Sequence, residues 1–282
     1  MDFWMAVMFE GTEQLLDIAR SAEELGYAGI AVADHIAVPA SFASVHPSGE
    51  NPFDHRTNFP DPFATIAAMS VVTTRLRFMP YVYILPMRDP FSVAKQAGTV
   101  AMLSNDRLVL GVGAGWLREE LELIGHDPST RGRRLDEMIE VIRRFWSDGV
   151  AEFHGAHYSF GPTGMFPKPS RPIPVWVGGK SDAALDRAAR NDGWVGMNYD
   201  LEEIEVLLGR LRERRAALGR TDVPFETLVI ANAMPSPDLY AQLTSWGVTS
   251  TVCTPWALGD PRFATFAAKR DAMEAFAASF LA

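Results

Sequence analysis

The sequence has a single cysteine, Cys253, fewer basic than acidic residues, and no long hydrophobic run. One cysteine excludes a disulfide framework and a cluster of thiolate metal ligands. No stretch approaches the roughly 20 apolar residues that cross a bilayer, and the opening MDFWMAVMFEG does not resemble a secretory signal. The net charge of -9 argues against a nucleic-acid or anionic-membrane partner. We therefore expect a cytoplasmic protein that binds a small molecule.

Patterns that mark several enzyme classes are also absent. The 6 histidines show no HExxH spacing, so we expect no metal site and argue against a metal-dependent barrel hydrolase. The sequence contains neither a GxSxG nucleophile elbow nor a Walker loop. These absences leave other cofactor chemistry and plain binding as the candidate functions.

Short aliphatic runs alternate with longer segments of helical periodicity along the whole chain. Eight such strand–helix pairs without a break in composition predict a single α/β domain over residues 1–282, a (β/α)8 barrel. A doubly wound open sheet is the alternative. The predicted strands lie at 3–10, 29–35, 76–86, in the run that begins at 107, and at 175–179, 193–198, 227–235 and 249–256.

Two irregular segments interrupt this alternation. Residues 36–60 form a loop rich in Pro, Ser, His and Asn, and such a length without periodicity is typical of a functional lid. Residues 151–172, after the strand-four helices, predict an inserted hairpin or excursion from the core. We expect both segments to cover the site.

The stretch RLVLGVGAGWLREE (107–120) raises the question of a dinucleotide-binding turn. Its glycines, Gly111, Gly113 and Gly115, are spaced by two, so the third comes one place too early for G-x-G-x-x-G. Three strand–helix units also precede it, whereas the dinucleotide fingerprint opens its domain. In a barrel, glycines two apart share one face of a strand, where they either keep the mouth open or relieve crowding inside.

A barrel carries its functional groups at the carboxyl ends of its strands. Asp34 and His35 end the second predicted strand, and an imidazole there can exchange a proton or bind a ligand carbonyl. The alternative is a structural pair whose side chains point to opposite faces. The same rule selects Glu10, Tyr81 to Tyr83, Ala114 to Trp116, Gly178 to Ser181, Asn198 and Trp256.

The turn GGKS (178–181) feeds the helical pattern DAALDRAAR. Ser181 is a candidate N-cap, and free N–H groups, the helix dipole and Lys180 together favour an anion such as a phosphate. An ordinary turn and cap is the alternative. Arg187 lies further along the same helical pattern and adds positive charge.

The residues as a whole resemble the bacterial luciferase-like flavin and deazaflavin oxidoreductases, and in particular their branch that uses coenzyme F-420. The resemblance rests on GVGAGWLREELELIGHDPSTRGRRLDEMIEVIRRFW, on PKPSRPIPVWVGGKSDAALDRAARNDGWVG, and on GIAVADH, in the same order along the chain. It implies a barrel with the cofactor ring at the strand ends, the cofactor phosphate at Gly178, Gly179, Lys180 and Ser181, and a homodimer.

The resemblance also implies a bulge in strand three, often with a cis non-proline peptide, against the ring. Tyr81, Val82 and Tyr83 occupy that place, with Ala114 opposite on strand four. Met79 and Pro80 stand where the family usually has small residues, so the ring contact is expected to be reshaped. Ala114 stands where sugar-phosphate dehydrogenases of the family carry a glutamate, so that activity is not carried over.

We therefore expect an oxidoreductase that transfers a hydride between F-420 and a small organic substrate, with His35 and Asp34 as catalytic residues. Phe42, Trp116 and Trp256 are predicted to line the substrate pocket, with Trp4 and Tyr83 as further candidates; any of these aromatic residues could instead be core. An FMN-dependent monooxygenase that uses oxygen is the alternative enzyme. A non-catalytic flavin-binding barrel is the alternative from another class.

Overall fold

The computed structural model describes residues 1–49 and 51–281. In these ranges, no helix is long and apolar enough to span a membrane. The strands are β1 Asp2–Val7, β2 Gly29–Val32, β3 Arg77–Pro80, β4 Tyr83–Ile84, β5 Leu110–Gly113, β6 Val150–His154, β7 Ser159–Gly164, β8 Val175–Gly178, β9 Gly193–Tyr199, β10 Glu226–Ala231 and β11 Ser250–Cys253. The α-helices are α1 Leu15–Glu24, α2 Pro62–Ser70, α3 Pro90–Leu103, α4 Arg118–Leu123, α5 Arg131–Asp148, α6 Asp182–Arg190, α7 Leu201–Ala217, α8 Pro237–Ser245 and α9 Phe266–Phe280.

Nine strands form one sheet in the order β3-β2-β1-β11-β10-β9-β8-β5-β4, and every described pairing in it is parallel. The two strands at its ends, β3 and β4, are successive halves of the third barrel strand. β3 pairs with β2 and β4 pairs with β5, while a bridge between Phe78 and Leu108 joins β3 to the start of the fourth strand. The sheet therefore closes on itself, and the predicted (β/α)8 barrel is confirmed.

Most of the barrel strands are shorter than the sequence predicts, because their carboxyl ends continue as loops of the barrel mouth. The second predicted strand, 29–35, ends at Val32, and the eighth, 249–256, ends at Cys253. The short helix α4 is an addition to the eight predicted helices and precedes α5 after strand four. Its six residues include Glu119 and Glu120, whose side chains contact the loop after strand two.

The segment 151–172 contains an antiparallel hairpin of β6 and β7. Its Phe160 ring packs 5.0 Å from Phe91 of α3 and 5.6 Å from Phe145 of α5. Glu137 of α5 accepts hydrogen bonds from the backbone N–H groups of residues 156–158 at the hairpin turn. The hairpin thus lies along the outer helices, and its role as a cover of the mouth stays a prediction.

The barrel interior is filled by apolar and aromatic side chains. Trp4 and Trp176 pack edge to face with centroids 5.6 Å apart, and the Arg77 guanidinium lies 5.2 Å and 5.4 Å from their rings. Gly29 and Gly193 make room for these indoles, since a Cβ at either glycine would come within 2.4 Å of a Trp ring. Trp4 is fully buried here, so it belongs to the core and does not line the pocket.

Glu23, near the end of α1, caps the turn that leads into β3. Its carboxylate accepts hydrogen bonds from the N–H groups of Thr74, Arg75 and Leu76. Partial burial alone would raise its pKa, but these backbone hydrogen bonds lower the pKa of Glu23 from 4.5 to about 2. The charged carboxylate therefore stabilises the folded chain above pH 4.5, and this contribution is lost as the pH falls towards 2.

We expect Glu23→Gln to lower the free energy of unfolding by about 1 kcal/mol at pH 7, because it weakens several charge-assisted hydrogen bonds at a partly exposed position. The difference from wild type should shrink between pH 4.5 and about 2. Denaturant unfolding across this pH range measures it. The matched control is Glu24→Gln, whose carboxylate has the partly exposed Arg270 as its ion-pair partner in the described part of the chain; equal losses in both variants would contradict the capping role.

Candidate active site

The break in the third barrel strand lies at the barrel mouth. The peptide between Tyr81 and Val82 is cis, as the resemblance implied. The Val82 side chain lies against the ends of strands four (β5) and five (β8), where a Cβ on Gly113 or Gly178 would come within 2.6 Å or 3.1 Å of it. The strand-three bulge, the strand-four glycines and the turn after β8 are therefore contiguous.

The alternate glycines of strand four are thus explained by close packing. A Cβ on Gly111 would lie 2.3 Å from the Pro80 carbonyl oxygen and 2.8 Å from Met79 Cγ. Gly115 has φ +86° and faces Ile84 in the same way. Each glycine accommodates a residue of strand three, so relief of crowding is the explanation that the structure supports.

Strand three buries most of its predicted cofactor contacts. Met79, Pro80, Tyr81 and Tyr83 are buried, and Val82 alone of these five residues is partly exposed. Tyr83 packs against Phe63 and lies under the Arg88 guanidinium. The Tyr81 hydroxyl is buried and has no hydrogen-bond partner among the residues that the structure describes; burial raises the pKa of its phenol, so it stays neutral. Of the cofactor contacts predicted on strands three and four, Val82 and the partly exposed Ala114 are therefore the ones that remain accessible at the mouth.

Asp34 is fixed by an ion pair below the mouth. Its carboxylate forms two hydrogen bonds with Arg88, at 2.7 Å and 2.6 Å, and accepts a third from the Ile84 N–H. Burial raises the pKa of this carboxyl, and the Arg88 guanidinium opposes the rise. The geometry favours a structural role for Asp34 over the catalytic role predicted for it, since every described partner belongs to the strand-three segment.

His35 points to a different partner from Asp34. Its Nδ1 lies 2.6 Å from Oε2 of Glu120, in helix α4, and the two side chains are 7% and 0% exposed. Phe53 and Phe59 pack on the imidazole, each with a centroid distance of 4.8 Å. The adjacent Asp-His pair therefore diverges, and His35 is the member held at the mouth.

The described parts of the loop, 36–49 and 51–60, are held over this imidazole by carboxylates and aromatic rings. Glu119 accepts hydrogen bonds from the N–H groups of Ala43 and Ser44, at 2.8 Å and 3.1 Å. The rings around the imidazole include Phe9, Phe42, His46, Phe53, Phe59 and Trp116. Burial, followed by the charge of His35, lowers the pKa of His46, so His46 is neutral in this cluster at pH 7.

The turn after β8 has the features of an anion site. Gly179 has φ +113°, Ser181 caps α6 by accepting the Ala184 N–H, and the predicted N-cap is confirmed. The N–H groups of Asp182 and Ala183 donate to no residue in the described part of the chain. Lys180 forms an ion pair with Glu203 at 2.7 Å and lies over the Tyr199 ring. The groups available to an anion at this turn are therefore the backbone N–H groups.

Two further side chains lie elsewhere than predicted. Arg187 is buried and binds Asp136 of α5 through two hydrogen bonds, at 2.7 Å and 2.9 Å, so it joins two helices and adds no charge to the anion site. Trp256 is only 4% exposed and its indole donates to Glu10, which favours a core role. Phe42 and Trp116 are partly exposed, with rings 5.9 Å apart, and their pocket role stays a prediction.

The sequence is similar to a known family of proteins over most of its length. The sequence pattern of the luciferase-like monooxygenases matches residues 5–238. The chain belongs to the luciferase-like monooxygenase family.

Relatives in this family cover the chain well. A protein of Mycobacterium tuberculosis, itself uncharacterised, is 40% identical over 250 residues, which is 86% of each chain. The fold is similar to a monooxygenase from Streptomyces bottropensis, with TM-score 0.82, 19% identity, and coverage of 100% and 99% of the two chains. It is also similar to the coenzyme F-420-dependent tetrahydromethanopterin reductase of Methanopyrus kandleri, with TM-score 0.75, 15% identity, and coverage of 99% and 98%. At such identities these two structures establish the fold alone.

Membership of the luciferase-like monooxygenase family makes this chain an enzyme of an oxidoreductase family, as the sequence predicted. Met79 stands where the family usually has a small residue. The structure explains how it fits, because Gly111 on the neighbouring strand leaves room for the larger side chain.

Glu120 and Arg88 are among the site residues that the sequence did not single out, and so are Phe53 and Phe59, which pack on the imidazole. Arg88 comes two positions after the predicted third strand, 76–86. Because strands two and three are neighbours in the barrel, a charged residue there lies close to Asp34 at the end of strand two, and this position was the signal that could have identified Arg88.

A cleft at the other end of the barrel is unrelated to this site. Phe3, Tyr240 and Phe280 line it, beside the amino-terminal ends of β1 and β2. It contains none of the predicted site residues, and in the luciferase-like monooxygenase fold, as in other barrels, functional groups gather at the carboxyl ends of the strands. We therefore assign the site to the mouth.

Proposed function

We propose that the protein is an F-420-dependent oxidoreductase that transfers a hydride between the deazaflavin and a small organic substrate. The observation that carries the proposal is His35, an imidazole fixed by Glu120 among aromatic rings at the barrel mouth. The resemblance to the F-420 branch supports the choice of cofactor.

The residues at the mouth fit a phosphorylated ring cofactor. Free N–H groups at the start of α6 can hold a phosphate beside Gly178 and Gly179. Val82 and Ala114 offer a small apolar surface, contiguous with that turn, for a flat ring. A bound deazaflavin supplies or accepts the hydride.

His35 balances the reaction with a proton. When a hydride adds to a carbonyl carbon of the substrate, the His35 imidazole gives a proton to the carbonyl oxygen, and the product is an alcohol. In the oxidative direction both transfers reverse. The loop 36–60 excludes water from the mouth and keeps substrate and cofactor at reacting distance.

An FMN-dependent monooxygenase is the second candidate. Membership of the luciferase-like monooxygenase family favours it. The cofactor decides between the two reactions, because a deazaflavin lacks the ring nitrogen that makes oxygen chemistry easy.

Titration of the apo-protein with F-420 and, separately, with FMN tests the proposal through tryptophan fluorescence. We expect tight binding of F-420 and weak binding of FMN. Gly179→Ala should weaken F-420 binding about tenfold or more, because an alanine is strained at φ +113° and its Cβ would lie 3.1 Å from that of Ala184. Gly219→Ala is the matched control, since Gly219 also has a positive φ, +64°, but lies at the end of α7.

Two results would contradict this function. Tighter binding of FMN than of F-420 would move the protein to the oxygen-using enzymes. Binding of neither cofactor would contradict both enzyme candidates. If the protein binds F-420, loss of the reduced cofactor's absorbance in the presence of carbonyl and activated-alkene compounds then identifies the substrate class.

A further inference from the structure

We propose that Glu120 is a positioning residue that fixes both the orientation and the tautomer of His35. The proposal deepens the function proposed above, and its catalytic consequence rests on that function. The arrangement of the Glu120 and His35 side chains does not depend on that function, so the positioning role and the proposed function can be refuted separately.

The Glu120 carboxylate is fully buried and satisfied by three donors. Oε2 pairs with His35 Nδ1 at 2.6 Å, and Oε1 accepts the N–H groups of Ile36 and Ala37, at 2.6 Å and 3.0 Å. A buried carboxylate with two backbone donors is held in one rotamer, and it offers the imidazole an acceptor and no proton. One side chain thus ties the ring and the chain that follows it to helix α4.

This pairing determines where the proton of the neutral ring sits. Because an ionised carboxylate only accepts, Nδ1 must carry a proton in the neutral as well as in the charged form of His35. The atom that gains and loses a proton is therefore Nε2. Within the described ranges Nε2 forms no hydrogen bond, which leaves it as the ring nitrogen that can reach a ligand at the mouth.

The aromatic rings complete the arrangement. Phe53 and Phe59 pack on the imidazole, and the Trp116 ring lies 6.1 Å away and nearly perpendicular. They exclude water from the Glu120 contact and leave the ring few alternative positions. A carboxylate–imidazole pair held in this way serves general acid–base chemistry at the second nitrogen.

Helix α4 also supplies a matched comparison. Glu119 is the preceding residue and holds the same loop, but its described hydrogen bonds go to Ala43 and Ser44 and not to the imidazole. Removing its charge perturbs the loop without touching the imidazole. Glu120→Gln, in contrast, keeps an oxygen for the Ile36 and Ala37 N–H groups and turns an NH2 donor towards His35.

The experiment is 15N NMR of protein labelled in its histidine rings, without cofactor, with His35 assigned by the signals that disappear in His35→Asn. We expect the neutral wild-type ring to carry its proton on Nδ1. In Glu120→Gln the neutral ring should carry it on Nε2, because Nδ1 must then accept. Glu119→Gln should keep the wild-type tautomer. A wild-type ring protonated on Nε2, or no change in Glu120→Gln, would overturn the proposal.

The wild-type spectrum alone decides the point if Glu120→Gln fails to fold. If the variant folds and the enzyme turns over with F-420, we expect Glu120→Gln to lower kcat up to about 100-fold with a smaller change in KM. In a His35→Asn background the same substitution should have little further effect. Correct tautomers without F-420 binding would refute the proposed function and leave the positioning role intact.

Discussion

Replacing His35 by asparagine is expected to lower turnover by about 100- to 10,000-fold while cofactor binding persists. The asparagine side chain places its NH2 near the position of Nδ1, so it can still donate to Glu120 and hold the loop. It has no atom at the position of Nε2, so the proton transfer is lost. Steady-state kinetics with the reduced cofactor and the best substrate measure the change.

The control for this substitution is His55→Asn, because His55 is exposed on the same loop, and the hydrogen bonds described for the loop leave its ring out. It should retain wild-type turnover within a factor of about 3, a surface change away from the chemistry. Full turnover of His35→Asn with bound cofactor would show that His35 is only a contact, and the proton would then come from another group.

Replacing Arg88 by leucine should lower the free energy of unfolding by about 3–5 kcal/mol, because the buried Asp34 carboxylate loses its charged partner. Asp34 is 0% exposed in its side chain and Arg88 is 14% exposed, so water cannot replace the guanidinium. The loss should be largest near pH 7 and smaller in acid, since burial raises the pKa of Asp34 and the protonated form tolerates burial better. Thermal and denaturant unfolding measure it.

The exposed pair of Arg20 and Asp17 supplies the comparison. Its side chains are 49% and 52% exposed, so Arg20→Leu should leave stability almost unchanged. Adding Asp34→Asn to Arg88→Leu should recover part of the loss, because a neutral amide costs less to bury than an unpaired charge. Equal stability of Arg88→Leu and wild type would mean that Asp34 is neutral in the native protein.

The sequence was sufficient for the features that depend on local pattern. Alternating strands and helices predicted the barrel, and Ser181 ahead of an amphipathic segment predicted the cap of α6. The resemblance supplied the cis peptide at Tyr81–Val82, which no local pattern indicates. These features depend on neighbours in the chain or on a motif read as a unit.

The pairings that define the site were beyond the sequence. His35 and Glu120 are 85 residues apart, and their strands are not adjacent in the barrel, so no pairing rule joins them. In the sequence the two glutamates of GWLREE look like an ordinary first turn of a helix. The position of Glu120 depends on how α4 and the loop 36–60 fold over each other, and that is decided by packing at the mouth.

The way the loop is attached bears on how new substrates could be acquired. Glu119 and Glu120 anchor only its first part, up to Ser44. The hydrogen bonds described for 45–49 and 51–58 stay within that segment, which touches the site only through aromatic rings such as Phe53. This segment can vary in length and composition without breaking a barrel hydrogen bond. Mutation and selection can therefore change the loop over the mouth while the residues proposed for proton transfer and for cofactor binding are inherited unchanged.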